Sequence, residues 1–146
     1  MPPAGFQKIS HSDEALYGPR KFLLCGFPAG AQSKFTALLG MIGLRHIDLV
    51  WASADQSHRT IADLMKEPHG HGEGASSTLP RAIIMAGITE KELHLLMSAC
   101  RKARMQQSFW ATLTPTSETW TLKALLSELA AERKALSGKK QPGHRS

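Results

Sequence analysis

Runs of apolar residues predict the strands at the centre of the fold. Residues 21–27 (KFLLCGF) and 82–88 (AIIMAGI) are almost wholly apolar, which is typical of strands buried on both faces. In residues 46–52 and 108–114 apolar and polar side chains alternate, which is typical of a strand with one exposed face. The pattern therefore predicts two central strands and two edge strands.

Helices are predicted after each of these strands. Four segments place apolar residues three and four positions apart, on one helix face. These segments are about residues 31–43, 57–67, 90–105 and 118–136. Thr89 and Glu92 have the T-x-x-E spacing of a capping box, in which each side chain satisfies a free N–H at a helix start. Asp55 is expected to cap the second helix.

The two halves of this pattern are alike. When the chain is shifted by 61 positions, residues 21–67 align with residues 82–128 without a gap. Four aligned pairs are identical: Gly26 with Gly87, Thr60 with Thr121, Leu64 with Leu125 and Glu67 with Glu128. The apolar positions coincide as well, so we expect an internal duplication of a strand–helix–strand–helix unit.

The element order predicts an α/β domain. With right-handed crossovers, the simplest sheet has the strand order 2-1-3-4, all strands parallel and helices on both faces, as in Rossmann-like or flavodoxin-like domains. The alternative is two βαβα units related by a twofold axis, with antiparallel central strands. We expect an irregular N-terminal arm, two repeats forming one domain, a mobile Gly/Ser/Pro-rich linker between them, and a disordered basic tail. The arm is residues 1–20, the repeats are residues 21–67 and 81–136, the linker is residues 68–80 and the tail is residues 137–146.

The net charge of +6 is concentrated at the C-terminal end. Residues 133–146 hold five basic residues and no acidic one, which leaves +1 for the rest of the chain. Candidate phosphate contacts are basic residues of the third helix and the tail: Arg101, Lys102, Arg104, Lys139 and Lys140. Trp51, Trp110 and Trp120 are candidates for stacking on bases or on a partner. A solvated helix end and a solubilising tail explain the same basic residues, and nucleic acid is the less favoured partner.

The cysteines and the apolar runs favour a cytoplasmic setting. Cys25 and Cys100 both fall on apolar faces, where a free thiol behaves as a small hydrophobic group, so a reducing compartment is expected. No apolar run approaches the roughly 20 residues that cross a bilayer, and the first residues lack a signal-peptide core.

A small-ligand site is one possibility at the middle of an all-parallel sheet. Ligands bind there beyond the carboxyl ends of the strands, where the strand order reverses. Backbone N–H groups and a helix N-terminus near the first loop would suit an anion such as a nucleotide phosphate. The candidate residues are Gly26, Pro28, Gly30, Ser33, Lys34 and Thr89. The glycine and lysine spacing is not that of a P-loop, and Glu90 and Glu92 in the second loop would repel a phosphate.

Metal and catalytic chemistry are weakly indicated. His69, His71 and Glu73 form an H-x-H-x-E pattern, but they lie in the linker, and adventitious metal binding is expected rather than a resident ion. No Ser or Cys is paired with a His and an acid in a way that recurs in both halves. We therefore predict no catalytic residue and no cofactor.

The second half resembles a small bacterial and archaeal domain family of about sixty residues and unknown function. The similar features are the apolar strand ending at Gly87, the T-x-x-E helix start, the A-x-L-T-P turn ending at Pro115 and the W-T-L that begins at Trp120. The first half fits less well, since Ala54 stands where Pro115 is found. The resemblance implies no activity and no site residues.

Taken together, these features predict a non-catalytic binding or regulatory module of a bacterial cytoplasm that acts through protein contacts. The two edge strands offer a route to a protein partner or to a homodimer. A small-ligand or nucleotide binder and an RNA-binding accessory protein are the alternatives.

Overall fold

The computed structural model describes the backbone of residues 14–145 and the side chains of residues 14–136. Its strands are β1 (Lys21–Cys25), β2 (Asp48–Ala52), β3 (Ala82–Ala86) and β4 (Phe109–Thr112). Its helices are α1 (Ala29–Met41), α2 (Ile61–Leu64), α3 (Glu90–Lys102) and α4 (Leu122–Arg145). Most of the predicted N-terminal arm lies outside the described residues, as do the side chains of the predicted tail.

The strand order 2-1-3-4 is confirmed, but the prediction that all strands are parallel is wrong. β1 pairs with β2 in parallel, and β3 pairs with β4 in parallel. The central strands β1 and β3 are antiparallel, with Lys21 opposite Ala86 and Cys25 opposite Ala82. The fold is thus an α/β fold with an open mixed sheet, and the strand directions are those of the alternative arrangement.

The linker explains why β3 runs against β1. Gly70 donates a hydrogen bond to the Leu49 carbonyl and Trp51 donates one to the His71 carbonyl, so the chain passes along the outer edge of β2. It then reaches the start of α1, where Ala75 accepts a bond from the Gln32 amide. Residues 68–80 therefore return the chain to the carboxyl end of β1, and β3 starts from that end.

Residues 61 positions apart occupy equivalent places in the two halves. Leu23 lies opposite Ile84 at the centre of the antiparallel pair, and Thr60 forms an isolated bridge with Thr121. Around that bridge, Ile61 donates to the Trp120 carbonyl and Leu122 donates to the Arg59 carbonyl. Because both contacts relate a residue to its own counterpart, the halves meet as the subunits of a twofold dimer do.

Helices cover both faces of the sheet, as predicted. On one face Phe22, Leu24, Ile83 and Met85 pack with α1 and α3 in a core that contains Phe27, Phe35, Trp51, Leu96 and Cys100. On the other face Leu23, Cys25, Val50 and Ile84 pack with α2 and α4. Trp51 is a core residue, in edge-to-face contact with Phe27 and Phe35. Burial of these side chains is the main force that holds the two layers on the sheet.

Two local predictions are corrected. β2 is not half-exposed, because Leu49 to Ala52 are all buried and Val50 packs against α2. Of the second predicted helix, about residues 57–67, only the short α2 is α-helical, and a 3-10 turn, Ala54–Gln56, precedes it. Asp55 therefore does not cap α2, since Thr60 accepts the bond from the Asp63 N–H.

The helix starts elsewhere follow the sequence more closely. Thr89 and Glu92 form the predicted capping box at the start of α3. Among the helices that the structure describes, none combines the length and the apolar character that crossing a membrane requires.

Candidate functional site

The residues predicted to form a small-ligand site lie at two ends of the sheet. Gly26, Pro28, Gly30, Ser33 and Lys34 follow the carboxyl end of β1, whereas Thr89 follows the carboxyl end of β3. Because β1 and β3 are antiparallel, these carboxyl ends lie at opposite ends of the strand pair. The structure places the other five residues at the end of β1 and in the first two turns of α1, and separates them from Thr89.

Gly26 has a packing role that also explains Gly87. Gly26 has φ +75°, and a Cβ built on it would lie 2.4 Å from the Leu79 carbonyl oxygen. Gly87 has φ +67°, and a Cβ there would lie 2.6 Å from the Arg20 nitrogen. In each half the segment entering one central strand crosses the glycine that ends the other. The sequence carries a signal for this contact, since Pro-Arg precedes both central strands at residues 19–20 and 80–81.

The N-terminus of α1 has no acidic residue. Its N-cap residue is Pro28, which makes no side-chain cap bond, and the first turn contains no Asp or Glu. The Ala29 N–H donates to the Ser76 hydroxyl oxygen of the linker. Gly30 and Lys34 are exposed beside this turn. The helix therefore presents a positive dipole end that no side chain of its own first turn neutralises.

The N-terminus of α3 is neutralised. Glu92 accepts bonds from Arg20 at 3.0 and 2.9 Å and completes the capping box with Thr89. The hydrogen bond from Arg20 is the main reason why the pKa of the Glu92 carboxyl is lowered. Arg20 also donates to the Gly87 carbonyl, so one guanidinium joins the arm, the end of β3 and the start of α3.

The two outer edges of the sheet differ. On β2 the Leu49 N–H donates to His69 Nδ1 at 3.0 Å, and the linker satisfies the Leu49 carbonyl and the Trp51 N–H. The Phe109 N–H donates to the Arg81 carbonyl, just before β3, and the N–H of Leu113, just after β4, donates to the Met85 carbonyl of β3. The alternate residues Trp110 and Thr112 therefore direct their N–H groups away from the sheet. Within the described part of the chain, these outward groups of β4 have no hydrogen-bond partner. The predicted open edge is thus found on β4 and is covered on β2.

A basic depression adjoins the open edge. It has a volume of about 440 Å³, and its lining includes Arg101, Gln107, Trp110 and Arg133. Arg133 lies 4.1 Å over the Phe109 ring and donates to the Ser108 carbonyl at 3.1 Å, so α4 holds a cation at the first residue of β4. Trp110 is half-buried and also lines a second depression, of about 420 Å³. Sequence reasoning missed Arg133, because its place depends on how α4 crosses the sheet.

The candidate phosphate-binding residues are only partly gathered here. Arg101 and Lys102 are exposed in the last turn of α3, where they oppose the negative end of the helix dipole. Arg101 lines the basic depression, whereas Lys102 lines a groove between α1 and α3. Arg104 adopts the left-handed conformation just after the helix, with φ +56°. The side chains of Lys139 and Lys140 lie outside the described residues.

The linker histidines attach the linker to β2 and to the 3-10 turn that follows it. His69 Nδ1 accepts the Leu49 N–H, and His71 Nε2 lies 2.9 Å from the Gln56 amide nitrogen. In the part of the chain that the structure describes, no three His, Cys, Asp or Glu side chains are grouped to hold a metal ion.

The cysteines are protonated core residues at neutral pH. Burial raises the pKa of the Cys25 thiol to about 12 and that of Cys100 to about 11. Both are free and buried. Because the thiolate is the nucleophile, neither side chain is set up for covalent chemistry.

Comparison with known proteins finds a match for one segment of the chain, in the second half. No curated protein and no solved structure matches the chain. Residues 81–136, from the start of β3 into α4, contain a domain of unknown function, DUF3783.

Proposed function

We propose that this chain is a non-catalytic binding module that acts through protein contacts, and that the open edge of β4 is its binding surface. The observation that supports this most strongly is the difference between the two outer edges. Equivalent backbone groups are satisfied by the linker on β2 and are left outward-facing on β4. An extended segment that pairs with such an edge gains main-chain hydrogen bonds along its whole length.

The charge around β4 favours an acidic partner. Arg101 and Arg133 line the depression beside the strand, while β4 itself carries no charged residue. Charged residues usually protect an exposed edge against unwanted pairing, so an uncharged edge is suited to a chosen partner. The proposed partner is therefore an extended segment with carboxylates on alternate positions.

Internal duplication is the origin we propose for the two halves. It is supported by the 61-residue equivalence of the central pair and of the Thr60–Thr121 bridge. Gly43 and Arg104 add to it, since both adopt the left-handed conformation after equivalent helices. In this proposal the linker was added to the first half and closed its edge. A reducing bacterial cytoplasm is the setting we propose, because both thiols are free.

The test uses a proline at the outward-facing position of β4. Thr112→Pro removes an N–H that does not pair with β3, so the fold is retained, as proline is tolerated on the free side of an edge strand. The probes are three eight-residue peptides that alternate threonine with glutamate, glutamine or lysine. We expect the glutamate peptide to bind most tightly and to protect the amides of Trp110 and Thr112 from hydrogen exchange. Thr112→Pro should weaken this binding at least tenfold, a loss of about 1.4 kcal/mol.

Thr112→Val is the matched control, since it keeps the N–H and loses only the hydroxyl group. It should bind the glutamate peptide as the wild type does. Equal binding of the glutamate and lysine peptides would rule out the acidic partner. Unchanged binding by Thr112→Pro would rule out the β4 edge. A dimer in sedimentation that Thr112→Pro converts to a monomer would replace the acidic partner with a second copy.

Single-stranded RNA is the second candidate, because Trp110 lines the same depression as Arg101 and Arg133. Bases stack on aromatic side chains while cations contact the phosphates. An eight-nucleotide oligouridine that binds with a steep salt dependence, and loses affinity in Trp110→Ala, would favour RNA over the peptide.

A further inference from the structure

The most unusual buried charge in the described part of the chain is Arg81. Its residue surface is 9% exposed, and its Nε atom is fully buried without a hydrogen-bond partner. The guanidinium carbon lies 4.1 Å over the ring of Phe27, the residue just before the N-cap of α1. Burial lowers the pKa of this guanidinium. A buried cation is costly unless a partner neutralises it, so the lack of a carboxylate here needs an explanation.

Arg20, 61 positions earlier, shows which partner a guanidinium at the equivalent position binds. It is held by both carboxylate oxygens of Glu92, at 3.0 and 2.9 Å, in the first turn of α3. Glu92 is the third residue after the N-cap Thr89. The equivalent residue of α1, third after its N-cap Pro28, is Ala31. The first half therefore has an equivalent helix start in α1, but lacks the carboxylate that in α3 binds the arginine preceding the other central strand.

The first turn of α1 supplies a second attraction for an anion. It contains no acidic residue, whereas the first turn of α3 contains Glu90 and Glu92. The buried cation next to Phe27 and the unneutralised dipole end thus lie at the same end of the same helix. Bidentate pairing with a planar guanidinium selects oxyanions, and carboxylate is the group that occupies the equivalent position.

We propose that Arg81 and the first turn of α1 bind a small oxyanion, a carboxylate or phosphate group of a ligand that takes the place of the missing Glu92 equivalent. This site is separate from the β4 edge and stands independently of the proposed partner. Gly30, Ser33 and Lys34 lie exposed in the first two turns of the same helix.

Thermal unfolding of the full chain tests the site with two anions, acetate and inorganic phosphate. Each is compared with chloride at equal ionic strength, because general screening affects all three alike. We expect acetate or phosphate to raise Tm in a saturable way, because a ligand that binds only the folded state stabilises it. The anion whose effect saturates identifies the ligand class as carboxylate or phosphate, because the general stabilisation by salts such as phosphate increases without saturating. The absence of a saturating rise with both acetate and phosphate would overturn the proposal.

Ala31→Glu supplies the missing carboxylate within the chain. It should raise Tm by a few degrees without any ligand and abolish the rise caused by the anions. Ala29→Glu is the matched control, since it adds a carboxylate to the same turn at the position equivalent to Glu90. This carboxylate gains only the attraction to the positive end of the helix dipole. An Ala31→Glu variant no more stable than Ala29→Glu, and still responsive to anions, would contradict the proposed position.

Arg81→Met keeps an apolar contact with Phe27 and removes the cation. The folded variant should show no anion response, and Ala31→Glu in that background should stabilise no more than Ala29→Glu does. If Arg81→Met does not fold, the Nε–H resonance of Arg81 in the wild type gives the answer. That resonance should move on titration with the stabilising anion and remain still with chloride.

Discussion

The half of the chain before the linker and the half after it bury similar strands but complete them differently. In the first half the linker covers the outer edge of β2, and within the described residues the first turn of α1 offers no carboxylate to Arg81. In the second half Glu92 neutralises Arg20, and the outer edge of β4 is open. The comparison shows that two similar halves can leave different polar groups without a partner: a buried arginine at one site and strand-edge N–H groups at the other. We place the proposed binding functions at these two sites.

The largest loss of stability is expected at Gly26 and Gly87, where the two halves are most alike. Gly26→Ala and Gly87→Ala each force a left-handed conformation on a side chain and place its Cβ within 2.6 Å of backbone atoms. We expect each to lower the free energy of unfolding by about 3 kcal/mol or more, measured by urea denaturation.

Gly43→Ala separates the cost of the left-handed conformation from the cost of the close backbone contact. Gly43 has φ +82°, but a Cβ added there would have nothing within 4 Å, so only the conformational cost of about 1 kcal/mol remains. If all three variants lost the same stability, the close approach of the backbones would not matter.

A smaller effect is expected where only the first half has the linker. Gln32 is buried, accepts a bond from the Gly74 N–H at 2.7 Å and donates to the Ala75 carbonyl at 3.0 Å. Gln32→Leu should lower the free energy of unfolding by about 1–2 kcal/mol and release the linker from α1. Amide hydrogen exchange of Leu49 and Trp51 should then rise toward that of Trp110 and Thr112.

Thr36→Val is the control, because the Thr36 hydroxyl donates to the Gln32 carbonyl within the same helix and not to the linker. It should leave the exchange of Leu49 unchanged. Equal exchange of the two edges in the wild-type protein would remove the difference on which the binding proposal depends.

The smallest effect concerns the ion pair that only the second half completes. Glu92→Gln keeps the capping box, since glutamine also serves at that position, and removes the charge that pairs with Arg20. At pH 7 we expect a loss of about 1 kcal/mol, because the pair is partly exposed.

This loss should depend on pH with a defined sign. The pKa of Glu92 is lower in the folded protein than its ordinary value of 4.5, so its stabilisation is present above that value. It disappears as the pH falls through the folded-state pKa. In urea unfolding, the difference between the wild type and Glu92→Gln should be larger at pH 7 than at pH 3. An equal difference at both values would assign the effect to packing.

The strand order was predictable because the apolar runs indicate which strands are buried. Strands 21–25 and 82–86 are buried on both sides and therefore central. Their relative direction was not predictable, because an apolar run looks the same in either direction. Direction follows from where the linker goes, and bonds such as that of Gly70 to Leu49 involve backbone groups that any sequence possesses.

The candidate sites were predictable only in part. The glycines and the start of α1 stand out in the sequence, but their interpretation depended on the direction of β3. Arg81 was identifiable in principle, since aligning residues 20 and 81 pairs two arginines while residues 31 and 92 pair alanine with glutamate. Arg133 was not, because its contact with Phe109 depends on the path of α4 over the sheet.

The antiparallel pairing of β1 with β3 has a consequence for stoichiometry. A polypeptide that carried only the segment 81–136 would leave the inner edge of β3 without its five paired residues. Two such molecules would satisfy each other through the same twofold pairing, at a cost that depends on their concentration. In this chain both members of the pair are joined by the linker, so the assembly is unimolecular and its stability is independent of dilution.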